Sequence, residues 1–402
     1  MLIGRIGGMG GGQMYTNNKL YFVSTLGWDP TVFFAVPGEI VISELKKYEN
    51  NLMEQMVMSP LVHSRKSAKK IIDSLAEKIG DFDEAVIESG SPYMALWGEL
   101  LAARLNCKHM VHLLDERLDK GVPKEYLDFY YFKHGRKELS GINISSLKIL
   151  FRNDPSITDD NAYHLSSVCS NVIVETDEDV LNVPQADVSL GCIGRLNKEF
   201  INPVINAFYN VTSKYTNKRF NVIFIGGSDN ADDSQKIKNK LYYLDNVNLI
   251  MPGTLYPIPD ATIKKVDLFV SSAGSARVSY RADVPTIAID STDLCPIGVL
   301  GYTTQNAAFR HGEPIVDLTD LIERILFEPY LEQFSYTPSP KVSLEPLKKH
   351  IEFLENSEAS KDYFNVITMK AAGSDKKKRY IRMILGKKLY IKLRTTPKKI
   401  KK

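Results

Sequence analysis

Segments with strand and helix patterns alternate along this 402-residue chain, and the series runs twice. Short apolar runs such as residues 85–87 and 108–114 stand between helical patterns, and an acidic, proline-containing stretch follows at 176–186. A second series begins at Asp187 and ends with a predicted strand at 314–317. Alternation of this kind indicates a parallel sheet with helices on both faces. We therefore predict an α/β protein of two doubly wound domains, with a cleft between them that suits a shared ligand.

The composition agrees with an ordinary globular protein, since 44% of the residues are apolar and 25% are charged. The sequence shows no run of eighteen apolar residues and no secretory signal pattern. Four cysteines are far apart without C-x-x-C spacing, which predicts reduced thiols, and the seven histidines are scattered. We expect a cytoplasmic protein without a membrane-spanning helix and without a metal site.

A glycine-rich loop opens the first domain. Five glycines occupy six positions from Gly7 to Gly12, between a short apolar segment and a helical pattern. In a parallel sheet such a loop lies at the carboxyl end of the first strand, where open α/β sheets bind ligands. Glycines let a ligand approach the backbone, and the following helix directs free N–H groups toward it. The loop matches neither a dinucleotide fingerprint nor a Walker loop, and a tight turn without a ligand is the alternative.

A second loop of small residues, 271–277, follows a strand pattern at 268–270 in the second domain. Small side chains allow backbone N–H groups to approach an anion, and serine hydroxyls add donors. Arg195 ends the first strand of this domain and has the fork geometry that binds phosphate. We predict a phosphate site here; the alternative is a capped helix beside a surface arginine.

Several motifs occur in the order found in one enzyme family. They are GGMGGGQ, GWDPTVF, LGCIGRLNKEFINPVINAF, FNVIFIGGS, VNLIMPGTLYPIP and VDLFVSSAGSARVSYRADVPTIAI. With them the chain resembles bacterial glycosyltransferases of the GT-B fold, in the broad family-four group that builds surface polysaccharides such as capsule and lipopolysaccharide. The resemblance spans residues 1–330 and implies two Rossmann-like domains facing a cleft, with C-terminal crossover helices.

The resemblance also implies a domain organisation and an activity. Residues 1–180 would form an acceptor-side domain and 187–330 a domain that binds a nucleotide-sugar donor. Residues 341–373 would form helices that pack back toward the first domain, ahead of a basic tail at 374–402. The protein would be a metal-independent hexosyltransferase without a cofactor, moving a sugar from a nucleotide-diphospho-sugar to a glycan or lipid-linked acceptor.

The resemblance assigns donor-binding roles to ten residues of this sequence. The glycine loop would approach the sugar-phosphate end, Arg195 would hold a diphosphate oxygen, and Lys198 would replace the family's lysine, whose place is taken by Phe200. The remaining contacts would come from backbone and small side chains on the nucleotide and phosphate sides. The ten residues are Gly10, Gly11, Gly12, Arg195, Lys198, Gly226, Gly227, Leu255 (beside the base), Gly274 and Ser275 (at the distal phosphate).

The paired glutamates of the family are missing, because no glutamate occurs at positions 249–312 and Val278 stands where the ribose-binding one is expected. Ser279 or Arg277 could take that role. As a base for the acceptor hydroxyl we single out His112 and Glu88, which we expect at strand ends facing the cleft. A retaining enzyme could use the leaving phosphate instead, and a strand histidine such as His112 is often structural.

Two other functions stay open. A nucleotide-sugar 2-epimerase shares the two-domain scaffold, although the glutamate-free donor region argues against it. A non-catalytic relative that acts as a binding partner would also explain the missing glutamates. Fold alone does not decide between these functions.

The C-terminal tail is strongly basic. From residue 375 onward it carries thirteen Lys or Arg and one acid, a net charge of +12 that leaves −9 for residues 1–374. Residues 380–393 form a basic amphipathic helix pattern, weakened at Gly386. Its apolar positions are Ile381, Ile384, Leu385, Leu389 and Leu393.

Three interpretations of this tail compete. It could dock on the first domain, bind nucleic acid, or lie on an anionic membrane surface, where each Lys or Arg contributes about 1 kcal/mol. No recognised nucleic-acid motif accompanies it, so we expect no nucleic-acid partner. We favour the membrane and expect the protein to be peripheral on the inner face of the plasma membrane, with docking as a possible second role.

Overall fold

A computed structural model describes residues 1–115, 118, 122–169, 173–174, 181–228, 230–340, 343–355 and 362–395. The strands are β1 Leu2–Arg5, β2 Phe33–Val36, β3 Val86–Ser89, β4 Lys108–Leu113, β5 Leu139–Gly141, β6 Tyr163–His164, β7 Ile173–Val174, β8 Val188–Ile193, β9 Phe220–Ile225, β10 Val247–Gly253, β11 Ile258–Pro259, β12 Leu268–Ser271, β13 Thr286–Ile289 and β14 Pro296–Val299. The helices are α1 Gly11–Thr25, α2 Arg65–Ile79, α3 Pro92–Leu105, α4 Leu127–Gly135, α5 Ile144–Leu150, α6 Ile201–Lys214, α7 Ala231–Leu241, α8 Asp260–Ile263, α9 Ala273–Arg281, α10 Leu318–Phe327, α11 Pro346–Glu355, α12 Gly373–Leu385 and α13 Lys387–Thr395.

Two six-stranded sheets organise the chain. The first has the order β2-β1-β3-β4-β5-β6 and the second the order β10-β9-β8-β12-β13-β14. All neighbouring strands are parallel except β13 and β14, which are antiparallel. The fold is therefore α/β, with one doubly wound sheet in each half of the chain, as the alternating pattern predicted.

The central strands of both sheets are apolar because helices cover them on both faces. Every residue of β8 and β9 is buried, and α6 and α10 pack on one side of them through Val204, Phe208 and Leu321. On the other side, Phe269 and Val278 belong to a separate apolar cluster with the ends of β8 and β9. In a parallel sheet covered in this way the carboxyl ends of the strands share one edge, which is where loops can form a site.

The last helices return to the first half of the chain. Ile351 and Leu354 of α11 pack with Val23 of α1 and Met110 of β4. The side chain of Glu99, inside α3, accepts a hydrogen bond from the backbone N–H of Phe364 at 2.7 Å. The first half of the chain is thus completed by residues from the C-terminal end.

The basic tail forms two helices, divided at the Gly386 that was expected to weaken a helix over 380–393. Gly386 has a φ of +76°, a conformation that favours glycine and ends α12. Ile381 and Leu385 pack toward Met58 and Val62 of the first half of the chain, together with Tyr390 and Ile391 of α13. The tail residues 396–402 lie outside the described residues. The predicted apolar stripe is consequently divided between a docked part and an exposed part.

A buried carboxylate fixes the start of α12. Asp375 accepts a hydrogen bond from the hydroxyl of Tyr126, which also bonds to the Ser59 hydroxyl at 2.9 Å. Lys378, one turn later, donates to the Tyr93 hydroxyl at 3.0 Å. The basic tail therefore begins as part of the folded body. Within the described residues, none of the helices combines the length and apolarity needed to cross a bilayer.

Candidate functional site

Five parallel strands of the second sheet end at the same edge. At this edge the segment after β8 is bonded to the segment after β9, because Gly194 N–H donates to the carbonyl of Ile225 at 3.0 Å and Leu196 N–H to that of Gly227 at 3.1 Å. A Cβ at Gly226 would lie 1.9 Å from the carbonyl oxygen of Gly194, so only glycine fits. The requirement for glycine here is set by two backbones in contact.

Arg195 and the start of α9 meet at this edge. A Cβ at Gly194 would lie 3.8 Å from the hydroxyl of Ser275, which places the end of β8 against the first turn of α9. Arg195 and Gly274 are exposed there, and Ser275 is half-buried. No side chain caps the first turn of α9, whose positive dipole end lies at this edge, while the N–H groups of Ala273 and Ser275 donate to the carbonyls of Ala307 and Ser272. Guanidinium, helix end and serine hydroxyl together can bind a phosphate or diphosphate.

The two serines before α9 have structural roles. The hydroxyl of Ser271 accepts a hydrogen bond from Ile193 N–H at 2.9 Å, and that of Ser272 donates to the carbonyl of Ile289 at 2.8 Å. These bonds tie the ends of β8 and β13 to the end of β12. They fix the backbone that presents Gly274 and Ser275, although the serine hydroxyls themselves are turned into the sheet.

The other donor-binding residues predicted in this domain lie around the same edge. A Cβ at Gly227 would lie 2.6 Å from the hydroxyl of Thr254, the neighbour of Leu255. Leu255 packs with the apolar cluster at the ends of β8 and β9. Lys198 is exposed in the turn after Arg195, its backbone N–H 3.1 Å from the Arg195 carbonyl. The structure thus brings these residues together, while their roles stay predictions.

Phe200 occupies the position of the family's lysine because it belongs to the core. It is buried beneath the end of β8, and its ring would meet a Cβ at Gly194 at 2.8 Å. A lysine at this position would carry its charge into an apolar cluster. With Phe200 in the core, Lys198 is the cationic side chain that follows Arg195 most closely in the sequence.

The glycine loop of the first domain faces Arg195. A Cβ at Gly10 would lie 3.9 Å from the guanidinium carbon of Arg195, and a Cβ at Gly11 would lie 3.6 Å from the Cβ of Cys169. Asn17 of α1 donates to the hydroxyl of Tyr256 at 3.3 Å, which also joins the two halves of the chain. The first turn of α1 therefore lies against the second domain, opposite the end of β8.

The glycines of this loop differ in whether the surrounding structure leaves room for a side chain. A Cβ at Gly7 would lie 2.7 Å from the backbone of Gly38, and Gly8 has a φ of +78°. A Cβ at Gly12, in contrast, would meet no atom within 4 Å. Gly12 therefore faces open space in this structure, and its predicted approach to the donor stays a prediction.

Glu88 and His112 do not face the cleft, so the expectation based on their positions near strand ends is wrong. Both side chains are buried, because α1 covers them with Tyr15 and Lys19. Glu88 accepts a hydrogen bond from the Tyr15 hydroxyl at 3.0 Å and forms an ion pair with Lys19. His112 bonds through Nδ1 to the Ser140 hydroxyl at 2.8 Å. This geometry makes them parts of a buried polar cluster, and a catalytic role for either stays a prediction.

A residue from the end of the chain completes that cluster. Nδ1 of His350 on α11 lies 3.2 Å from the Tyr15 hydroxyl, and its Nε2 lies 2.9 Å from the carbonyl of Ser166. Burial lowers the pKa of His350 to about 4 and that of His112 well below its usual value. Burial alone would raise the pKa of Glu88, but Lys19 and His112 lower it to about 2. Glu88 is therefore charged and both histidines are neutral near pH 7.

A second buried network was not found from the sequence. His109 lies three residues before His112 on β4 and so on the opposite face. Its Nδ1 bonds to Glu99 at 2.6 Å, and Lys133 forms ion pairs with Glu99 and Glu138 at 2.6 and 2.7 Å. The signal available was Glu99 within an otherwise apolar stretch of α3. The network packs α3 and α4 on the sheet, and its position behind the strands gives it no access to the cleft.

Arg277, considered above for ribose recognition, lies on α9 about one turn after Gly274. Its guanidinium lies 3.4 Å from the carbonyl of Gln305, and the Gln305 side chain accepts a hydrogen bond from the Tyr280 hydroxyl at 3.2 Å. Val278 and Ser279 are buried on the other side of this helix. Ser279 is therefore unable to reach a ligand at this edge, and Arg277 is the better placed of the two. In the part of the chain that the structure describes, no three His, Cys, Asp or Glu side chains form a group that could hold a metal ion.

Comparison with known proteins adds information on the fold. No protein-family profile and no curated protein sequence matches the chain. Among solved structures, a glycosyltransferase from Rickettsia africae ESF-5 matches with a TM-score of 0.57 and 15% identity, over 89% of this chain and 99% of that one. Anabaena HepE, solved with UDP and glucose, matches with a TM-score of 0.56 and 11% identity, over 82% and 90%.

A UDP-N-acetylglucosamine 2-epimerase is also similar, with a TM-score of 0.50 and 13% identity over 90% of this chain and 98% of that one. Such low identities establish the architecture and leave the activity open. The chain has the two-domain GT-B fold, with Rossmann-like halves and C-terminal helices that cross back to the first.

Proposed function

We propose that this protein is a glycosyltransferase that moves a sugar from a nucleotide-diphospho-sugar to a glycan or lipid-linked acceptor in surface-polysaccharide synthesis. One observation carries the proposal: Arg195 and Ser275 meet at the carboxyl edge of the second sheet, and the glycine loop of the first domain lies opposite, with Gly10 next to the Arg195 guanidinium. The fold shared with a glycosyltransferase and with a protein solved with UDP and glucose supports it.

The proposed chemistry uses the charges at this edge. Negative charge develops on the departing diphosphate, and Arg195 and the positive end of the α9 dipole are already positioned to stabilise it. This stabilisation requires no metal or cofactor. The missing glutamates leave Arg277 as a candidate contact for the ribose hydroxyls, and a leaving phosphate can accept the proton of the acceptor hydroxyl.

A donor screen tests this function. Isothermal titration calorimetry with UDP, GDP and their common hexose derivatives identifies the base and the sugar, and incubation of the bound donor with membrane glycolipid extract identifies transfer. We expect one nucleotide-sugar to bind at micromolar affinity and its sugar to appear in the lipid fraction. Absence of binding across the panel would refute the proposal.

A 2-epimerase is the second candidate, because one solved enzyme of that activity shares the fold over 90% of this chain. Incubation of UDP-N-acetylglucosamine with the protein, without an acceptor, separates the two activities. Proton NMR distinguishes the gluco and manno configurations at C2. Appearance of the manno product would favour the epimerase, whereas an unchanged donor favours the transferase.

We further propose that the tail binds an anionic membrane surface. After α12 and α13 have docked, five large apolar side chains remain between 49% and 75% exposed, and they are Tyr380, Met383, Ile384, Leu389 and Leu393. Exposed cations flank them, including Lys377, Arg379 and Lys388. Apolar side chains bordered by Lys and Arg fit the interface of an anionic bilayer, which would place the enzyme beside a lipid-linked acceptor.

Vesicle co-sedimentation tests this attachment. We expect the protein to sediment with phosphatidylglycerol vesicles at low salt and to remain in solution with phosphatidylcholine vesicles. Replacement of Ile384 and Leu393 by serine keeps the charge and the docked side chains, and should release the protein. Serine at Tyr242 and Tyr243, two exposed aromatics elsewhere, is the matched control. Equal sedimentation of both variants would show that these tail side chains do not enter the bilayer.

A further inference from the structure

Phe309 is a large apolar residue left exposed near the edge that carries the candidate site. It belongs to a segment after β14 that is bonded to the start of α9, because Ala273 N–H donates to the carbonyl of Ala307 at 2.6 Å. The same segment is bonded to the end of β13, since Ser291 N–H donates to the carbonyl of Ala308 at 2.9 Å. Phe309 is therefore placed next to the phosphate-binding end of α9.

The backbone around Phe309 is firmly held. The N–H of Arg310 donates to the carboxylate of Asp290 at 2.7 Å. The Arg310 guanidinium donates to the carbonyls of Pro296 and Pro314, each at 3.0 Å. Despite this support the Phe309 side chain is 45% exposed. An aromatic side chain has only two rotatable bonds, and on a fixed backbone it loses little conformational freedom when a ligand packs on it.

The order of strands decides which part of a ligand would reach this ring. Arg195 after β8 and Ser275 after β12 lie in the middle of the sheet, whose order is β10-β9-β8-β12-β13-β14. Leu255, predicted beside the base, follows β10 at one side of them, and Phe309 lies past β13 at the other. A ligand with its diphosphate at the centre and its base toward β10 would direct its remaining end toward Phe309.

We propose that Phe309 is a stacking platform for the pyranose ring of the donor sugar. This inference rests on the proposed function and adds a residue that selects for the sugar. One face of a pyranose presents C–H groups that pack on an aromatic ring, while its hydroxyls remain available to polar groups. In this arrangement Phe309 recognises the sugar, whereas Arg195 and the start of α9 recognise the diphosphate.

Calorimetry with and without the sugar tests this role. UDP, UDP-glucose, GDP and GDP-mannose are titrated into the wild type, Phe309→Ala and Phe309→Tyr. We expect Phe309→Ala to weaken binding of the sugar-bearing ligand about 3- to 10-fold and to leave that of the free diphosphate unchanged. Phe309→Tyr, which keeps the ring, should bind like the wild type. Phe334→Ala, at a phenylalanine 36% exposed elsewhere in the second half of the chain, is the control.

The outcomes separate this inference from the proposed function. Equal affinities of wild type and Phe309→Ala for the nucleotide-sugar would refute the platform and leave the transferase proposal intact. Equal weakening of UDP and UDP-glucose would mean that the ring stacks on the base, which also contradicts the inference. Failure of the wild type to bind any of the four ligands would refute both proposals together.

Discussion

Arg195 is the residue on which the candidate site most depends, because it is exposed, lies at the end of a central strand and faces the glycine loop. We expect Arg195→Ala to weaken UDP binding by about 1.5–3 kcal/mol, which is the contribution of a charge-assisted hydrogen bond. Calorimetry measures this loss. Arg219→Ala, an exposed arginine at the opposite end of the same sheet, should bind UDP like the wild type. Similar affinities of the two variants would exclude Arg195 from the site.

The glycine loop offers a comparison between adjacent residues. Gly11→Val would push a branched side chain against Cys169, whereas Gly12→Val would extend into open space. Both changes replace glycine by valine in the first turn of α1, so their effects on the helix should be similar. We expect Gly11→Val to abolish sugar transfer with little change in melting temperature, and Gly12→Val to retain donor binding. Loss of donor binding in Gly12→Val alone would contradict the assignment of contacts.

The buried pair of Glu88 and Lys19 predicts a large loss of stability when one charge is removed. Glu88→Gln leaves the Lys19 ammonium buried beneath α1 without its carboxylate, which typically costs about 3–5 kcal/mol. Urea denaturation measures the change. The double variant Glu88→Gln with Lys19→Met should recover much of it, since no buried charge then remains. A single variant as stable as the wild type would show that the pair contributes little.

The same cluster sets the response to acid. The pKa of Glu88 falls to about 2 in the folded protein and that of His350 to about 4, so the unfolded chain binds more protons than the folded one below neutral pH. Both groups therefore contribute stability at pH values above their pKa in the unfolded chain. This contribution is lost as the pH falls, first as His350 becomes protonated and then, at lower pH, as Glu88 does. Urea midpoints should decrease from pH 7 to pH 4, and His350→Gln should reduce the decrease between pH 6.5 and 4.

At the scale of single elements, the sequence predicted the strands of the second domain well because their signals are local. The run 188–193 is apolar throughout and is buried throughout as β8. The predicted strand at 314–317 is irregular in the structure, although its residues have the right composition. The last strand is instead Pro296–Val299, which pairs antiparallel with β13 and carries a proline. Its partner β13 is close in sequence, with Ile289 paired to Pro296, but the proline and Gly298 in this four-residue strand weaken its local strand pattern.

The position of a side chain in three dimensions was harder to predict than its strand. Glu88 and His112 were expected at the cleft because they lie near strand ends, but α11 comes from more than two hundred residues away and buries them with α1. Arg195 and Ser275 do lie at one edge of the sheet, since each follows a strand with a clear local signal, while their donor-binding roles stay predictions. Phe309 escaped notice because nothing in its neighbourhood forms a motif.

One buried acid fixes the start of the tail helices, in addition to the apolar contacts of Ile381, Leu385, Tyr390 and Ile391. Asp375 bonds to Tyr126 and neighbours Lys378 at the start of α12. We expect Asp375→Ala to release α12 and α13, since Tyr126 loses its buried partner and Lys378 its neighbouring charge. Limited proteolysis should then cut the tail faster while the body stays intact. Asp128→Ala, an exposed acid in the first turn of α4, is the control. An unchanged cleavage rate would show that apolar contacts alone hold the tail.

At the scale of the whole molecule, two contacts described above join the two domains. Gly10 approaches Arg195, and Asn17 bonds to Tyr256. Asn17 lies within α1, and Gly10 directly precedes this helix. Because α1 also carries Tyr15 and Lys19 into the buried cluster, this helix connects the face of the second domain to the core of the first.

The docking of α11 affects the order in which the two domains can fold during synthesis on the ribosome. Met110, Val23 and Leu165 of the first domain emerge long before Ile351, Phe353 and Leu354, which cover them in the folded protein. At a synthesis rate of about 5–20 residues per second, roughly 10–40 seconds separate the two groups. During that interval the second domain can fold by itself while the first still exposes an apolar surface. Synthesis of the second domain therefore ends before α11 emerges, and the first domain matures only after α11 has been made.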